Sequence, residues 1–226
     1  MNKVPPYLRD LIVRATFFDS KTPQKYTFFN TKKEKCTMAN YNKKINDTLI
    51  RIGEVRFSYV NVFAPRTDPD GKPGKYSVCL VWPKTDTQTT ELVKAAIEAA
   101  KAAGKTSKWG GKVPANAKLP IRDGDIDREE DENFAGCWFI NANCGQKPGV
   151  RVLDNGVIVE ALDDQDFYSG CYGAATVNFF AYDSNGNKGV GAGLNNVIKT
   201  RDGERLSGGT SAESDFGDLG SLDCLG

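Results

Sequence analysis

Residues 48–63, TLIRIGEVRFSYVNVF, alternate in part between apolar and polar positions and are rich in β-branched and aromatic side chains. That is the pattern of a long strand. Gly53 inside the run predicts a bend or bulge, the feature that lets a strand curve. Proline and glycine make residues 64–74 a loop. In residues 75–83, KYSVCLVWP, a second strand places Tyr76, Val78, Leu80 and Trp82 on one face, and Pro83 ends it. Asp86 or Thr87 then caps a helix over TQTTELVKAAIEAAKAAG, with Leu92, Ala95, Ala96 and Ala99 on one stripe and Gly104 at its end. Residues 136–143, GCWFINAN, read as a strand. Residues 150–162 set Asn155-Gly156 between two apolar runs, a strong hairpin signal. Residues 171–183 and 188–200, joined by a turn at 184–187, form a last hairpin. These elements predict a mainly β fold, a small barrel with one helix and long loops. No alternation of strand and helix supports a doubly wound sheet.

Composition narrows the chemistry. Of 226 residues 39% are hydrophobic and 26% charged, enough apolar surface to build a core. No apolar run is long enough to span a bilayer, and no apolar signal region follows the N-terminus. The chain contains no histidine, which excludes histidine-based triads, HExxH zinc sites and facial-triad iron sites. The six cysteines, at 36, 79, 137, 144, 171 and 224, form no CxxC pair and read as free thiols in a reducing compartment. Three motifs fail on inspection. AGKTS (103–107) has Ala99 where a phosphate loop needs glycine. GVGAGLNN (189–196) has Asn196 in place of the third glycine of a dinucleotide fingerprint. The run from Asp123 has Arg128 and Phe134 at the sixth and twelfth positions of a calcium loop.

The net charge of +1 is unevenly spread. Residues 1–37 carry +5, residues 38–206 carry zero and residues 207–226 carry −4. Within the middle part, residues 123–132 hold seven acids and one arginine, so the rest of that body is mildly basic at +6. Met38 opens MANYNKKINDTLIRIG, and the preceding Lys33-Glu34 can be encoded AAG-GAG, a purine-rich ribosome-binding sequence. Met38 is therefore expected to be the initiator and residues 1–37 a translated leader; the competing reading is a basic arm that binds nucleic acid. Residues 38–47 would complete the N-terminal extension before a domain over 48–206. Residues 207–226 read as a disordered acidic tail.

Trp109 stands among Lys105, Lys108 and Lys112 with glycines beside it, as base stacking with phosphate attraction requires, or folds back onto the core. Lys72, Lys75 and Lys84 flank Tyr76 and Trp82, which the strand alternation also offers to the core. Arg56 and Tyr59 lie on the first long strand, and Tyr182 ends a strand beside a polar turn and Lys188. Together these residues suggest a groove lined by rings and cations. The tail interleaves Asp215, Phe216, Asp218, Leu219 and Asp223, which suits docking on basic partners as well as plain solvation. An enzyme alternative is a metal-dependent nuclease using Asp123, Asp125 and Asp127. A structural alternative is a β-barrel structural or interaction protein that makes only protein contacts.

Several segments resemble the tailed-phage single-stranded-DNA-binding proteins: LPIRDGD (119–125), YSGCYGAATVNFFAYD (168–183), NKGVGAGLNNVIKTRDGERL (187–206) and SAESDF (211–216). GKYSVCLVWPKTD (74–86) is also similar to the helix-destabilising protein of the podophages. The resemblance covers residues 48–216; residues 1–37 match nothing in the family. It implies a five-stranded OB-like barrel that binds single-stranded DNA without sequence preference, in replication, recombination or repair in the cytoplasm of a bacterial host. It further implies an acidic tail that recruits replication proteins, and a groove around Tyr59, the Lys75–Lys84 passage and Tyr182. No cofactor, metal, catalytic residue or membrane is expected, and a homo-oligomer is left open.

Overall fold

The computed structural model describes residues 41–206, apart from 68–70, 72–73 and 185. The leader expectation and the tail residues Asp215, Phe216, Asp218, Leu219 and Asp223 lie outside the described residues, as does Lys72. Among the described residues nine strands form one sheet: β1 (Lys43–Lys44), β2 (Leu49–Asn61), β3 (Tyr76–Pro83), β4 (Ile121–Asp123), β5 (Cys137–Cys144), β6 (Gly149–Asp154), β7 (Val157–Glu160), β8 (Tyr172–Ser184) and β9 (Asn187–Arg201). The main helix α1 spans Thr87–Ser107, and a single turn α2 spans Gly124–Asp127.

Five of these strands close on themselves. β2 pairs antiparallel with β3 and with β8, β3 with β5, and β8 with β9. A parallel bridge between Asn143 and Gly193 joins β5 to β9 and completes the ring. β4 lies along β5 while Lys118 just before it bridges to Gly189 of β9, so this segment staples the seam. The ring of five strands with one main helix is the expected OB-like arrangement; the short strands β1, β4, β6 and β7 are additions to it. Lys43 and Lys44 pair with Arg51 and Ile50, so the sheet takes in part of the expected N-terminal extension.

The long strands curve at bulges. Ile50 and Ile52, then Val55 and Phe57, are the buried apolar side chains of β2, and the break in alternation falls where the register shifts between Ile52 and Val55. The extra residue turns the strand and adds twist. Glu54 takes the left-handed conformation there, with φ of 53°, rather than Gly53. Gly53 is needed for a different reason: a Cβ on it would collide with Tyr41. The hairpin between β6 and β7 turns at Asn155 (φ 47°) and Gly156 (φ 83°), both left-handed, as an Asn-Gly two-residue turn requires.

The core fills the ring from Val78, Leu80 and Trp82 of β3, Ile140 and Ala142 of β5, and the apolar residues of β2, β8 and β9. Asp86 caps α1, its carboxylate accepting from the Thr89 backbone N–H at 3.0 Å. The buried face of α1 is Thr89, Thr90, Val93, Ala96, Ile97, Ala100 and Gly104, rotated from the expected stripe, and Ala95 is exposed. Gly104 does not end the helix. It lies in the helix–sheet contact, where a Cβ would run into Ala181. Among the described residues the cysteines are free, and burial pushes the Cys79 thiol up to about 12 and Cys171 up to about 11, which keeps both protonated and unreactive.

Candidate nucleic-acid interface

Residues directly opposite each other on neighbouring strands share a face. Arg122 opposes Phe139, Phe139 opposes Val81, Val81 opposes Arg56, Arg56 opposes Tyr172 and Tyr172 opposes Arg201. Val81 apart, the row alternates cations with rings, and it runs on the outside of the ring, away from the core positions Leu80, Phe57 and Ile140. Two halves of this row meet different fates.

The half on β3, β4 and β5 is roofed by residues 124–134. Phe134, fully buried, packs with Cys79, Val81 and Phe139 in a small second core, its ring edge-on to Phe139 at 5.1 Å. Asp131 caps the 3-10 turn Glu132–Phe134 by accepting from the Asn133 N–H at 3.1 Å. Gly124 is buried beneath, where a Cβ would strike the Phe134 carbonyl. The acids of the segment take up the nearby cations. Lys84 Nζ stands 2.5 Å from Asp123 Oδ1 and 2.6 Å from Asp125 Oδ2. Arg122 donates to both oxygens of Asp127 at 2.9 and 3.2 Å. Lys84 and then the Gly136 N–H hold the Asp125 carboxyl below the usual range, and Arg122 does the same for Asp127. A divalent cation at Asp123, Asp125 and Asp127 would have to displace both bases, so the geometry argues against the nuclease alternative.

The half on β2, β8 and β9 is open. Arg201 stacks on the Tyr172 ring with its guanidinium carbon 3.8 Å from the centroid, and Arg56 stands 5.9 Å from the same ring. Arg56 donates to Asn133 Oδ1 at 3.1 Å and to the Glu204 carbonyl at 3.4 Å, which fixes its side chain at the border with the roof. Tyr168 carries Arg205 at 4.0 Å and Lys199 at 5.3 Å, and its hydroxyl donates to Asp202 Oδ1 at 2.8 Å. Burial, then this bond, pushes the Tyr168 hydroxyl up, so it stays protonated and donating. Tyr59 is 50% exposed, with Arg128 at 5.2 Å from its ring. Its φ of 48° is unusual for an aromatic residue and belongs to the second bulge of β2, between Ser58 and Asn61. Each of the three tyrosines therefore presents a ring with an adjacent guanidinium, which offers a base a flat partner and a phosphate a cation.

The expected site residues do not gather in one groove. Arg56 and Tyr59 lie at the open half. Trp82 is a correction: it is 1% exposed in the ring core, its Nε1–H donating to Thr90 Oγ1 at 3.1 Å. Trp109 is another, 6% exposed under the end of α1 with Nε1–H donating to the Tyr182 carbonyl at 3.1 Å. A ring sealed in this way has no face left for a base. Half-buried Tyr182 and exposed Lys108 sit around Trp109 at that end, and Lys188 pairs with Asp183 at 2.9 Å. Lys75 is exposed before β3, and Tyr76 is half-buried opposite Cys144. Lys84 is taken by carboxylates and also stands 5.0 Å from the ring of Trp138. Tyr168, Tyr172, Arg201, Arg205 and the half-buried Trp138 were not among the expected residues.

Similarity to known proteins agrees with this geometry. A protein called p50 from Acyrthosiphon pisum secondary endosymbiont phage 1 is 33% identical over 180 residues, which is 75% of this chain and 93% of that one. The solved structure of the single-stranded DNA-binding protein from bacteriophage Enc34 in complex with ssDNA superposes with a TM-score of 0.65 at 26% identity, covering 74% of this chain and 94% of that one. Another structure of the same phage protein gives 0.61 at 25% identity, covering 78% and 93%. The family described as Enterobacter phage Enc34, ssDNA-binding protein, a family of binding proteins and not of enzymes, matches residues 48–223. The match of the family over most of the chain's length, together with the 33% identity to p50, shows that the chain belongs to this phage family.

Proposed function

We propose that the protein binds single-stranded DNA without sequence preference through the open half of the outer row. The observation that carries this reading is Tyr172 flanked by Arg201 and Arg56, with Tyr168 and Arg205 beside them. Rings stack on any base, and guanidinium groups neutralise phosphates, so neither contact reads sequence. The Enc34 relative, whose structure was solved in complex with ssDNA, supports the same ligand. A protein that prefers unpaired strands lowers duplex melting by mass action and needs no ATP. The wider role is replication or recombination in the host cytoplasm. There the tail residues Asp215, Phe216, Asp218, Leu219 and Asp223 recruit replication proteins, and deletion of 207–226 is expected to abolish their capture while DNA binding remains. Filter binding of poly-dT against duplex across a salt series tests the main reading. Tighter binding to poly-dT, falling steeply with salt, is expected; equal affinity for both forms would refute it.

A further inference from the structure

A cleft of about 420 Å³ opens between the end of β2 and residues 162–169, directly beside the open half of the row. Its volume is within the range of roughly 300–1,000 Å³ usual for small-molecule sites. Val62 and Phe167, both fully buried, form its apolar floor, and Phe63 and the 78%-exposed Leu162 stand at its mouth. Asp163 and Asp164 also line it. Arg205 is the one cation among the lining residues, and its guanidinium is already engaged. It stacks on Tyr168 at 4.0 Å and donates to the Asp164 carbonyl at 3.3 Å and to Gln165 Oε1 at 3.2 Å.

Those groups decide what the cleft can hold. Two carboxylates and an apolar floor repel a phosphate. A flat, neutral ring with polar edges fits: its faces meet Phe63, Leu162 and Tyr168, and its edge meets Asn61, Ser169 and the carboxylates. The connection to the row is short. Val60, whose N–H donates to Ser169 Oγ at 3.1 Å, follows Tyr59 in β2. Tyr168, on the rim, bonds Asp202, the residue after Arg201, which stacks on Tyr172. A strand lying on Tyr172 and Arg201 therefore passes the mouth.

We propose that this cleft holds one nucleobase of the bound strand, turned out of its stack, while Arg205 keeps the adjoining phosphate outside. The proposal rests on the single-strand-binding reading and adds a base pocket to it. Its test uses the full chain with dT oligonucleotides carrying 5-iododeoxyuridine, irradiated and mapped by mass spectrometry, because that base cross-links to aromatic rings in contact with it. Adducts on Phe63 or Tyr168 are expected in addition to Tyr172. Ala64→Trp, which fills the mouth from an exposed position, should remove the cleft adducts, spare the one at Tyr172, and weaken dT binding by about 5- to 150-fold, the range for one stacked base. Leu162→Trp repeats the test should A64W lower the melting temperature. Adducts at Tyr172 alone, or cleft adducts that survive both substitutions, would overturn the pocket and leave the binding reading intact. Absence of both adducts and dT binding would overturn the binding reading itself, and the pocket with it.

Discussion

The two halves of the outer row carry the same kinds of residue and end in opposite states. On β3, β4 and β5, cations meet carboxylates: Lys84 lies between Asp123 and Asp125, and Arg122 is clasped by Asp127. In the open half, guanidinium groups meet rings, Arg201 on Tyr172 and Arg205 on Tyr168, while the carboxylates there pair closely with Lys199 (Asp202, 2.8 Å) and only distantly with Arg201 (Glu54, 3.8 Å). An ion pair with a carboxylate cancels the charge, whereas stacking on a ring leaves it available to a phosphate. A basic side chain on a binding fold is therefore no measure of binding until its neighbour is known. The roofed half is packed and charge-paired, and the open half is the surface proposed for the strand.

The largest expected effect breaks the roofed half. Phe134 has no exposed surface and closes the second core against Cys79, Val81 and Phe139. Phe134→Ala should cost about 3–5 kcal/mol, the usual toll for deleting a buried aromatic side chain. Urea unfolding monitored by far-UV circular dichroism reads it. If the comparison holds, poly-dT affinity measured where the variant is still folded stays within a few-fold of wild type.

Tyr172→Ala breaks the other half. The ring is only half-buried, so stability should change little, while poly-dT binding loses about 1–3 kcal/mol, the measured worth of one stacking residue. A variant that lost stability but kept its affinity would reverse the assignment of the two halves. Trp82→Phe is the matched control: it removes a buried bond to Thr90 and should lower the unfolding midpoint without touching affinity.

Part of this contrast was legible in the chain. The alternation of residues 48–63 and 75–83, the Asn155-Gly156 turn and the last hairpin all correspond to strands of the structure. Trp82 sits on the same alternation as Val78 and Leu80 and follows them into the core, so the strand pattern outweighed the nearby lysines. Tyr172 and Arg201 were not legible as a pair. Counting back from Ser184 opposite Asn187 sets Tyr172 against Lys199. Two register shifts, after Thr176 and after Tyr172, move its partner to Arg201, and no residue type announces them. The acidic run hid the roof for another reason. Asp123–Glu132 reads as a solvated face, and only Phe134 at its end signals that the segment folds back.

Acid offers a gentler probe of the roofed half. Lys84, then the Gly136 N–H, holds the Asp125 carboxyl below its ordinary range, so its contribution to stability is present above that range. It is lost as pH falls through the lowered native value. Asp125→Asn should therefore unfold at lower urea than wild type at pH 7, and the two midpoints should converge as the pH drops below about 4, where the carboxyl of the unfolded chain is already protonated. A gap that persisted at low pH would mean that Asp125 acts through packing and not through its charge.

The smallest effect draws the finest line between the halves. For a single strand, each phosphate neutralised by a protein cation contributes about 0.7 to the slope of log affinity against log salt. Arg201 stacks at 3.8 Å on Tyr172, and its ion pair with Glu54 is long, 3.8 Å, so a phosphate has only one weak contact to displace there. Lys84, by contrast, is held by two carboxylates at 2.5 and 2.6 Å, and a phosphate would have to evict both. Arg201→Gln should then reduce the slope for poly-dT by roughly 0.7, whereas Lys84→Gln should leave the slope unchanged even if it lowers the unfolding midpoint. Titrations at four or five salt concentrations resolve that difference. An equal loss of slope in both variants would show that bound DNA lifts the acidic roof, extending the interface across β3 and β5.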